Sequence, residues 1–198
     1  RLRQISFRVE NSAFAGNVIA IGADAASDTS LFSYEFGDVD GGGGGDCTLV
    51  DCTPATTKNC IEASLRRLNF IYGKTALAGA SKIQVGLIEE CQFVNQRTYP
   101  IMDPAQAFSV QSCTFEQTCL DTAAAISSVA DISGLSYRGN WHGDASSTAA
   151  GQRLMSIRVV GGDISGNYFG SIAQNITGIY LTNTCYGLSI SGNRFDFN

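Results

Sequence analysis

The sequence is poor in charge, proline and histidine, and these scarcities exclude several classes of protein. Only 16% of the 198 residues are charged, proline occurs three times and histidine once. The 13 lysine and arginine residues are outnumbered by 18 acidic residues, and they form no basic stripe that would attract nucleic acid. No apolar run approaches the roughly 20 residues of a membrane helix. We therefore expect neither a nucleic-acid partner nor membrane insertion.

Glycine and apolar residues are abundant, which favours a β-rich globular chain. Glycine occurs 22 times and 44% of the residues are hydrophobic. That composition and length suit one domain with a sizeable core, in which glycine supplies the positive φ of sharp corners. We interpret residues 1–198 as a single domain. Because the sequence starts in the middle of a repeating pattern and stops just after its last copy, we expect the domain to be a fragment of a longer protein.

One sequence pattern recurs along the chain at intervals of 22 to 34 residues. Its first position is usually an aliphatic residue, its fourth is often asparagine and its sixth is usually aromatic, with any residue at the positions between, as in Ile190-x-x-Asn193-x-Phe195. The repetition of one motif with such a period is typical of a solenoid. Eight copies begin at Val9, Leu31, Leu65, Ile88, Val110, Tyr137, Ile164 and Ile190.

Each copy has one apolar face and one polar face, as alternation along a strand requires. A single copy is too thin to bury its apolar face, so the copies are expected to stack as parallel strands around a continuous core. Asn140, Asn167 and Asn193 are expected to stack at a corner, because asparagine tolerates left-handed backbone geometry. The sequence thus predicts an all-β, single-stranded parallel β-helix of about eight turns with loop insertions.

The longest interval between copies indicates a glycine- and cysteine-rich loop insertion at residues 37–60. Three aspartates surround its five consecutive glycines, so a calcium loop is an alternative to a plain surface loop. Cys47, Cys52 and Cys60 match no zinc-knuckle spacing and have no histidine nearby, which favours a local disulfide or free thiols. We expect no metal site and no cofactor.

Seven cysteines cannot all pair within the chain, and two of them share a position in the pattern. Cys91 and Cys113 occupy the asparagine position of adjacent copies. Free cysteine is among the most buried residue types, so we expect the two side chains to stack in the core.

The residue before the aromatic position points outward and predicts a binding surface. On this basis Trp141, Tyr168 and Arg194 are exposed neighbours on adjacent turns. Exposed aromatic rings beside polar groups suit sugar rings, whose C–H faces stack on them. The alternative is that Trp141 packs under the 145–152 insertion or against another subunit. Gln92 and Arg138 complete the candidate substrate-binding residues.

Two carboxylates on adjacent turns are candidate catalytic groups. Glu116 and Asp144 follow the aromatic position in successive copies, and a separation of roughly 5 to 8 Å would suit the acid and base, or nucleophile, of a glycosidase. The alternative is that both are ordinary solvated corner acids. His142 replaces the aromatic residue of its copy, which indicates either a core histidine or a general base beside Asp144 and Arg138.

The residues of the last two copies resemble those of a known family. Ile164-Ser165-Gly166-Asn167 with Phe169, and Ile190-Ser191-Gly192-Asn193 with Phe195, are similar to the coils of right-handed parallel β-helix proteins of the pectin-lyase-like class. The Arg-x-Pro-x-x-Arg element of pectate lyases and the Gly-His-Gly element of polygalacturonases are absent. With its irregular turns and unpaired cysteines, the chain most resembles the β-helix body of bacteriophage tailspikes and related appendages.

That resemblance implies a homotrimer on a virion tail that binds, and often cleaves, bacterial surface polysaccharide. It therefore implies a receptor-binding protein with glycosidase or lyase activity, although fold alone does not fix function and whether the chain is an enzyme stays open. Two alternatives remain. One is a non-catalytic structural or adhesive β-helix of an appendage or cell surface, and the other is a secreted monomeric polysaccharide-degrading enzyme.

Overall fold

A computed structural model describes most of the chain, and all structural statements below concern the residues it describes. These are residues 1–11, 13–21, 32–42, 46–52, 62–79, 83–102, 106–116, 118, 124, 126–143, 153–171, 176–182 and 185–197. They contain strands and turns but no helix, and hence no helix that could span a membrane.

Nineteen strands follow one another in these residues, and most are only two to five residues long. They are β1 Leu2–Arg3, β2 Phe7–Arg8, β3 Asn17–Ala20, β4 Phe32–Asp40, β5 Thr48–Asp51, β6 Ala63–Ile71, β7 Thr75–Ala78, β8 Gly86–Glu89, β9 Gln92–Val94, β10 Ile101–Met102, β11 Phe108–Gln111, β12 Thr114–Glu116, β13 Ile126–Arg138, β14 Trp141–Gly143, β15 Arg153–Ser165, β16 Tyr168–Ser171, β17 Thr177–Leu181, β18 Tyr186–Ser191 and β19 Arg194–Phe197.

Every strand pairs in parallel with the equivalent strand of a neighbouring turn. One stack of paired strands runs through β6, β9, β12, β14, β16 and β19. A second stack runs through β3, β5, β7, β10, β13, β15 and β17. The chain is therefore a parallel β-solenoid of about five turns, and its parallel stacking is as the sequence predicts.

Aromatic rings stack along one column of the coil, one from each of six successive turns. Phe93 and Phe115 lie 4.7 Å apart between ring centroids with planes 4° apart. In-register pairing places the same position of each turn in one column, so one buried ring stacks on the next. The column, called the aromatic stack below, comprises Phe70, Phe93, Phe115, His142, Phe169 and Phe195.

Each turn bends at a corner whose first residue has left-handed backbone geometry. Gly139, Gly166 and Gly192 occupy this position in the last three copies, with φ between 61° and 63°. The following asparagine points inward and bonds to the next turn. The backbone N–H of Asn140 donates to Oδ1 of Asn167 at 2.8 Å, and the backbone N–H of Asn167 donates to Oδ1 of Asn193 at 3.0 Å. The predicted asparagine corner is thus present.

Cys91 and Cys113 continue this asparagine column towards the N-terminus. The Cys113 thiol lies 3.7 Å from the carbonyl oxygen of Ile88, while the amide of Asn140 donates to the equivalent carbonyl, that of Val110. Both cysteines are buried, which confirms the predicted stacking of these side chains in the core. We call Cys91, Cys113, Asn140, Asn167 and Asn193 the corner ladder.

The first two copies of the predicted pattern are out of register. The partner of Leu65 is Tyr34, three residues after the predicted start at Leu31, and the partner of Tyr34 is Leu2. Leu31 itself lies outside the described residues. Phe36, expected inside, has φ of 56° at the corner and packs there against Arg67, with 5.2 Å from guanidinium carbon to ring centroid.

Part of the predicted 37–60 insertion belongs to the coil instead of a loop. Residues 37–40 complete β4 and pair with β6, and residues 48–51 form β5, which pairs with β7. Their apolar side chains face the core, so the backbone is held in the stack despite the glycines that follow. Cys47 is a buried free thiol in this region. Residues 43–45 and 53–60, including Cys60, lie outside the described residues.

Candidate ligand-binding surface

An aromatic strip runs along the outside of the coil where β14, β16 and β19 begin. Trp141, Tyr168 and Arg194 are the first residues of these strands and pair in register. Each follows a corner-ladder asparagine whose side chain points inward. Because side chains alternate along a strand, the residue after the asparagine points outward and the next one enters the aromatic stack. The three residues are called the aromatic strip.

The rings of the aromatic strip lie parallel and in contact. The centroids of Trp141 and Tyr168 are 6.0 Å apart with planes 9° apart, and the guanidinium carbon of Arg194 lies 5.7 Å from the Tyr168 centroid. Trp141 retains 41% of its accessible surface. The predicted neighbours on adjacent turns, followed by arginine, are therefore present, although Tyr168 is half-buried and only Trp141 and Arg194 are exposed.

Two glycines make room for the rings, and the repeat pattern did not reveal them. A Cβ on Gly143 would lie 1.8 Å from the Trp141 ring, and a Cβ on Gly170 would lie 2.6 Å from the Tyr168 ring. Each ring therefore leans along its strand over the next outward position, which carries no side chain. Bare backbone forms the floor beneath the strip.

Charged and polar groups extend the strip at both ends. Beyond Tyr168, Asp196 accepts hydrogen bonds from Arg194 at 3.1 Å and from the Tyr168 hydroxyl at 3.4 Å. In the other direction, the outward column continues through Thr114 and Gln92. Gln92, an exposed predicted contact, thus lies in the same column as Trp141, two turns away. The surface combines ring faces with hydrogen-bonding groups along one line.

Glu116 lies beside the aromatic strip, but its predicted partner Asp144 lies outside the described residues. Glu116 is half-buried and pairs with Gly143, the residue beneath the Trp141 ring. The next carboxylate in that outward column is Asp196, three turns away, which corresponds to about 14 Å at a strand spacing of ~4.8 Å. Glycosidase pairs are at most about 9.5 Å apart, so Glu116 and Asp196 are too distant to form one.

Arg138 lies around the corner from the strip. It ends β13, and the Gly139–Asn140 corner separates it from Trp141. Its guanidinium bonds to Asp163 at 2.8 Å. A hydrogen bond from Ser165 and the Arg138 guanidinium lower the pKa of that carboxyl. Arg138 is therefore engaged in an ion pair on the adjacent face and not aligned with the rings.

His142 is a core residue. It is 2% exposed and stacks between Phe115 and Phe169, with centroid distances of 4.6 and 4.8 Å. Its Nε2 hydrogen-bonds the Tyr137 hydroxyl at 2.5 Å. Burial lowers the pKa of His142 to about 3, so the ring is neutral at physiological pH. Of the two interpretations of His142, the structure supports the core histidine and excludes a solvent-accessible general base.

A separate groove of about 560 Å³ lies on the outside of β4, β6 and β8. Small side chains, Ser33 and Ser64, line it together with Leu87 and the charged Glu35 and Arg66. The sequence pattern did not predict this groove, because a groove on the outer face of the strands depends on the size of the side chains there and not on the repeat. It is remote from the aromatic strip, which lies on β14, β16 and β19.

Comparisons with known proteins found no relative. No family model matches the chain, and neither the curated proteins nor the solved structures include a match. The functional argument therefore depends on the chemistry of the surface itself.

Proposed function

We propose that the chain is the body of a tailspike-like receptor-binding protein that binds bacterial surface polysaccharide along the aromatic strip. The observation that carries this proposal is the parallel pair of the exposed Trp141 and the half-buried Tyr168, with Arg194 beside it. Parallel ring faces present apolar surface to the C–H faces of sugars, and the flanking groups can bond their hydroxyls. The stiff stack of turns fixes the spacing of these contacts.

The architecture that goes with this proposal is a right-handed coil of about eight turns. Two features support it. A single column of paired residues has eight members, and crossovers between parallel strands of one sheet are right-handed in about 98% of proteins. The members are Leu2, Tyr34, Leu65, Ile88, Val110, Tyr137, Ile164 and Ile190.

In the enzymatic form of the proposal, Glu116 and Asp144 cleave the bound glycan as acid and base or nucleophile. Glu116 pairs with Gly143, the residue beneath the Trp141 ring, so its carboxylate would lie beside a sugar bound to that ring. In the alternative, the surface only binds, as in a structural or adhesive β-helix. The pairing of Glu116 with Gly143 favours that alternative, since a glycine and not a carboxylate faces it on the next turn.

The assembly proposed with this function is a homotrimer on a virion tail. A secreted enzyme that acts alone would be a monomer, and an adhesin could reside on a cell surface. Light scattering coupled to size-exclusion chromatography separates these cases. A trimeric mass supports the appendage, and a monomeric mass favours the secreted enzyme.

The experiment that tests the function uses a panel of bacterial capsular and lipopolysaccharide glycans. Binding and reducing-end release are measured for the unsubstituted chain, for Trp141→Ala and for Tyr168→Ala. The matched control is Tyr72→Ala, which removes an exposed tyrosine from another part of the coil. Loss of binding in the two strip variants alone supports the proposal, while equal binding by all variants contradicts it.

The same panel separates binding from cleavage. Release that disappears in Glu116→Gln or Asp144→Asn, with binding retained, assigns catalysis to this pair. Release that survives both substitutions moves the active site elsewhere. Binding without release by the unsubstituted chain identifies an adhesive surface.

A further inference from the structure

Cys91 and Cys113 stand directly above one another in the corner ladder. Gln92 pairs with Thr114, and the backbone N–H of Thr114 donates to the carbonyl of Cys91 at 2.9 Å, so the preceding cysteines are in register on adjacent turns. The strand spacing therefore separates their backbones by ~4.8 Å. Their side chains are 2% and 1% exposed.

The surroundings of the two sulfurs favour a cation. The Cys91 Sγ lies 3.5 Å from the Leu65 carbonyl oxygen and 3.4 Å from that of Glu89. The Cys113 Sγ lies 3.7 Å from the Ile88 oxygen and 3.2 Å from that of Gln111. Four carbonyl oxygens thus point their partial negative charge at the pair and oppose a net negative charge there, so one thiol proton is lost only where a monovalent cation replaces it.

The rest of the column limits how many ligands a metal would find. Leu68 occupies the turn before Cys91, and Asn140 occupies the turn after Cys113, where its Oδ1 already accepts the Cys113 backbone N–H at 2.9 Å. The described residues contain no group of three or more histidine, cysteine, aspartate or glutamate side chains arranged for a metal. A tetrahedral zinc site needs four ligands, so zinc does not fit.

We propose that Cys91 and Cys113 form a two-coordinate site for a soft metal ion such as Cu(I) or Ag(I). Thiolate is the ligand that soft ions select. Metal–sulfur bonds are about 2.3 Å long for zinc, so two such bonds in line span about 4.6 Å, close to the separation of adjacent turns. Binding of one monovalent ion breaks one S–H bond, forms two metal–sulfur bonds, one to a thiolate and one to the remaining thiol, and releases one proton to solvent, so the buried site stays neutral.

The corner ladder supplies a matched variant for the test. Asparagine is the native residue at this position in the next three turns, so Cys91→Asn and Cys113→Asn should keep the fold while removing the sulfurs. The control is Cys47→Ala, which removes a buried thiol in another part of the core. Circular dichroism and thermal unfolding establish that each variant is folded.

The measurement is an anaerobic titration with Ag(I) in chloride-free buffer, followed by competition with a soluble thiol. We expect each asparagine variant to lose one tightly bound ion, together with the one proton that its binding releases, while Cys47→Ala keeps it. If both single variants keep that ion, or if Cys47→Ala loses it, the proposal is wrong.

X-ray absorption at the silver edge of the loaded, unsubstituted chain gives a second readout that does not depend on the variants. Two sulfur neighbours support the site. Three or more ligands, or oxygen and nitrogen neighbours alone, overturn it.

Discussion

The Trp141 ring occupies the space that a side chain at position 143 would need. A Cβ on Gly143 would lie 1.8 Å from the ring, and the closest neighbour is Cη2, at the far end of the indole. The orientation of the principal ring of the aromatic strip therefore depends on a glycine two residues along its own strand. This dependence gives a way to disturb the surface without removing any of its side chains.

Gly143→Ala is expected to weaken glycan binding while the coil stays folded. The new methyl group must displace the indole, which is partly exposed to solvent, so we expect the substitution to change the orientation of the ring and leave the core packing intact. Binding assays against the glycans that the unsubstituted chain retains provide the measurement. Ser189→Ala, an exposed substitution on the neighbouring sheet, is the control. Unchanged affinity in Gly143→Ala would show that the ring orientation is irrelevant.

Asn167→Ala is expected to destabilise the coil by about 2 to 4 kcal/mol, because a net hydrogen bond contributes roughly 1 kcal/mol and an unsatisfied buried group costs about 1–3 kcal/mol. The Asn167 side chain accepts from the Asn140 backbone and amide at 2.8 and 3.1 Å, and donates to the Tyr137 carbonyl at 3.1 Å. Urea unfolding measures the effect.

Asn193→Ala provides the comparison for this ladder prediction. Asn193 is only half-buried, so solvent can satisfy the groups that its removal exposes. We expect a smaller loss of unfolding free energy than in Asn167→Ala. An equal or larger loss in Asn193→Ala would mean that the ladder bonds are not what stabilises this corner.

His142 is expected to make the coil sensitive to acid. Burial lowers its pKa from 6.5 to about 3, so the unfolded chain binds the proton more tightly than the folded chain. The contribution of the neutral His142 ring to the free energy of unfolding is complete above about pH 6.5 and is lost as the pH falls towards 3. The slope is about 1.4 kcal/mol per pH unit, which amounts to roughly 3 kcal/mol between pH 6.5 and pH 4.

His142→Phe tests this pH dependence, because phenylalanine is the residue of the neighbouring turns in the aromatic stack. The substitution removes the titrating group and the unpartnered buried Nδ1. Unfolding free energies at pH 7 and pH 4 should then differ by roughly 3 kcal/mol less than in the unsubstituted chain. The same pH dependence in both proteins would contradict the assignment.

The repeated part of the fold was predictable from the sequence, because six copies carry a large apolar residue at the first position of the pattern and an aromatic ring at its last. The copies from Leu65 onward pair in the expected register. The N-terminal copies misled because Leu31-x-x-Tyr34-x-Phe36 fits the pattern better than the true copy, in which Gly37 and Val39 replace the ladder and aromatic residues. A pattern of hydrophobic residues cannot distinguish a phenylalanine at a corner, such as Phe36, from one in the aromatic stack.

The candidate surface was predictable to a similar extent. The alternation of side chains placed Trp141, Tyr168 and Arg194 in one outward line, and the structure has them in register there, with Tyr168 half-buried. The sequence did not reveal the two glycines beneath the rings. Gly143 and Gly170 lie just after the last position of the pattern, where the pattern does not specify the residue. It also placed Arg138 among the contacts, although that side chain pairs with Asp163 across the corner.

The most direct test of the central claim is a fluorescence titration with bacterial polysaccharide fragments. Trp141 is the only tryptophan in the chain, so its emission reports on the aromatic strip alone. We expect a saturable change in intensity and wavelength as a sugar ring covers the indole, and no such change in Tyr168→Ala at the same concentrations. Glycans that bind by an independent assay but leave the Trp141 emission unaltered would show that the strip is not the binding surface.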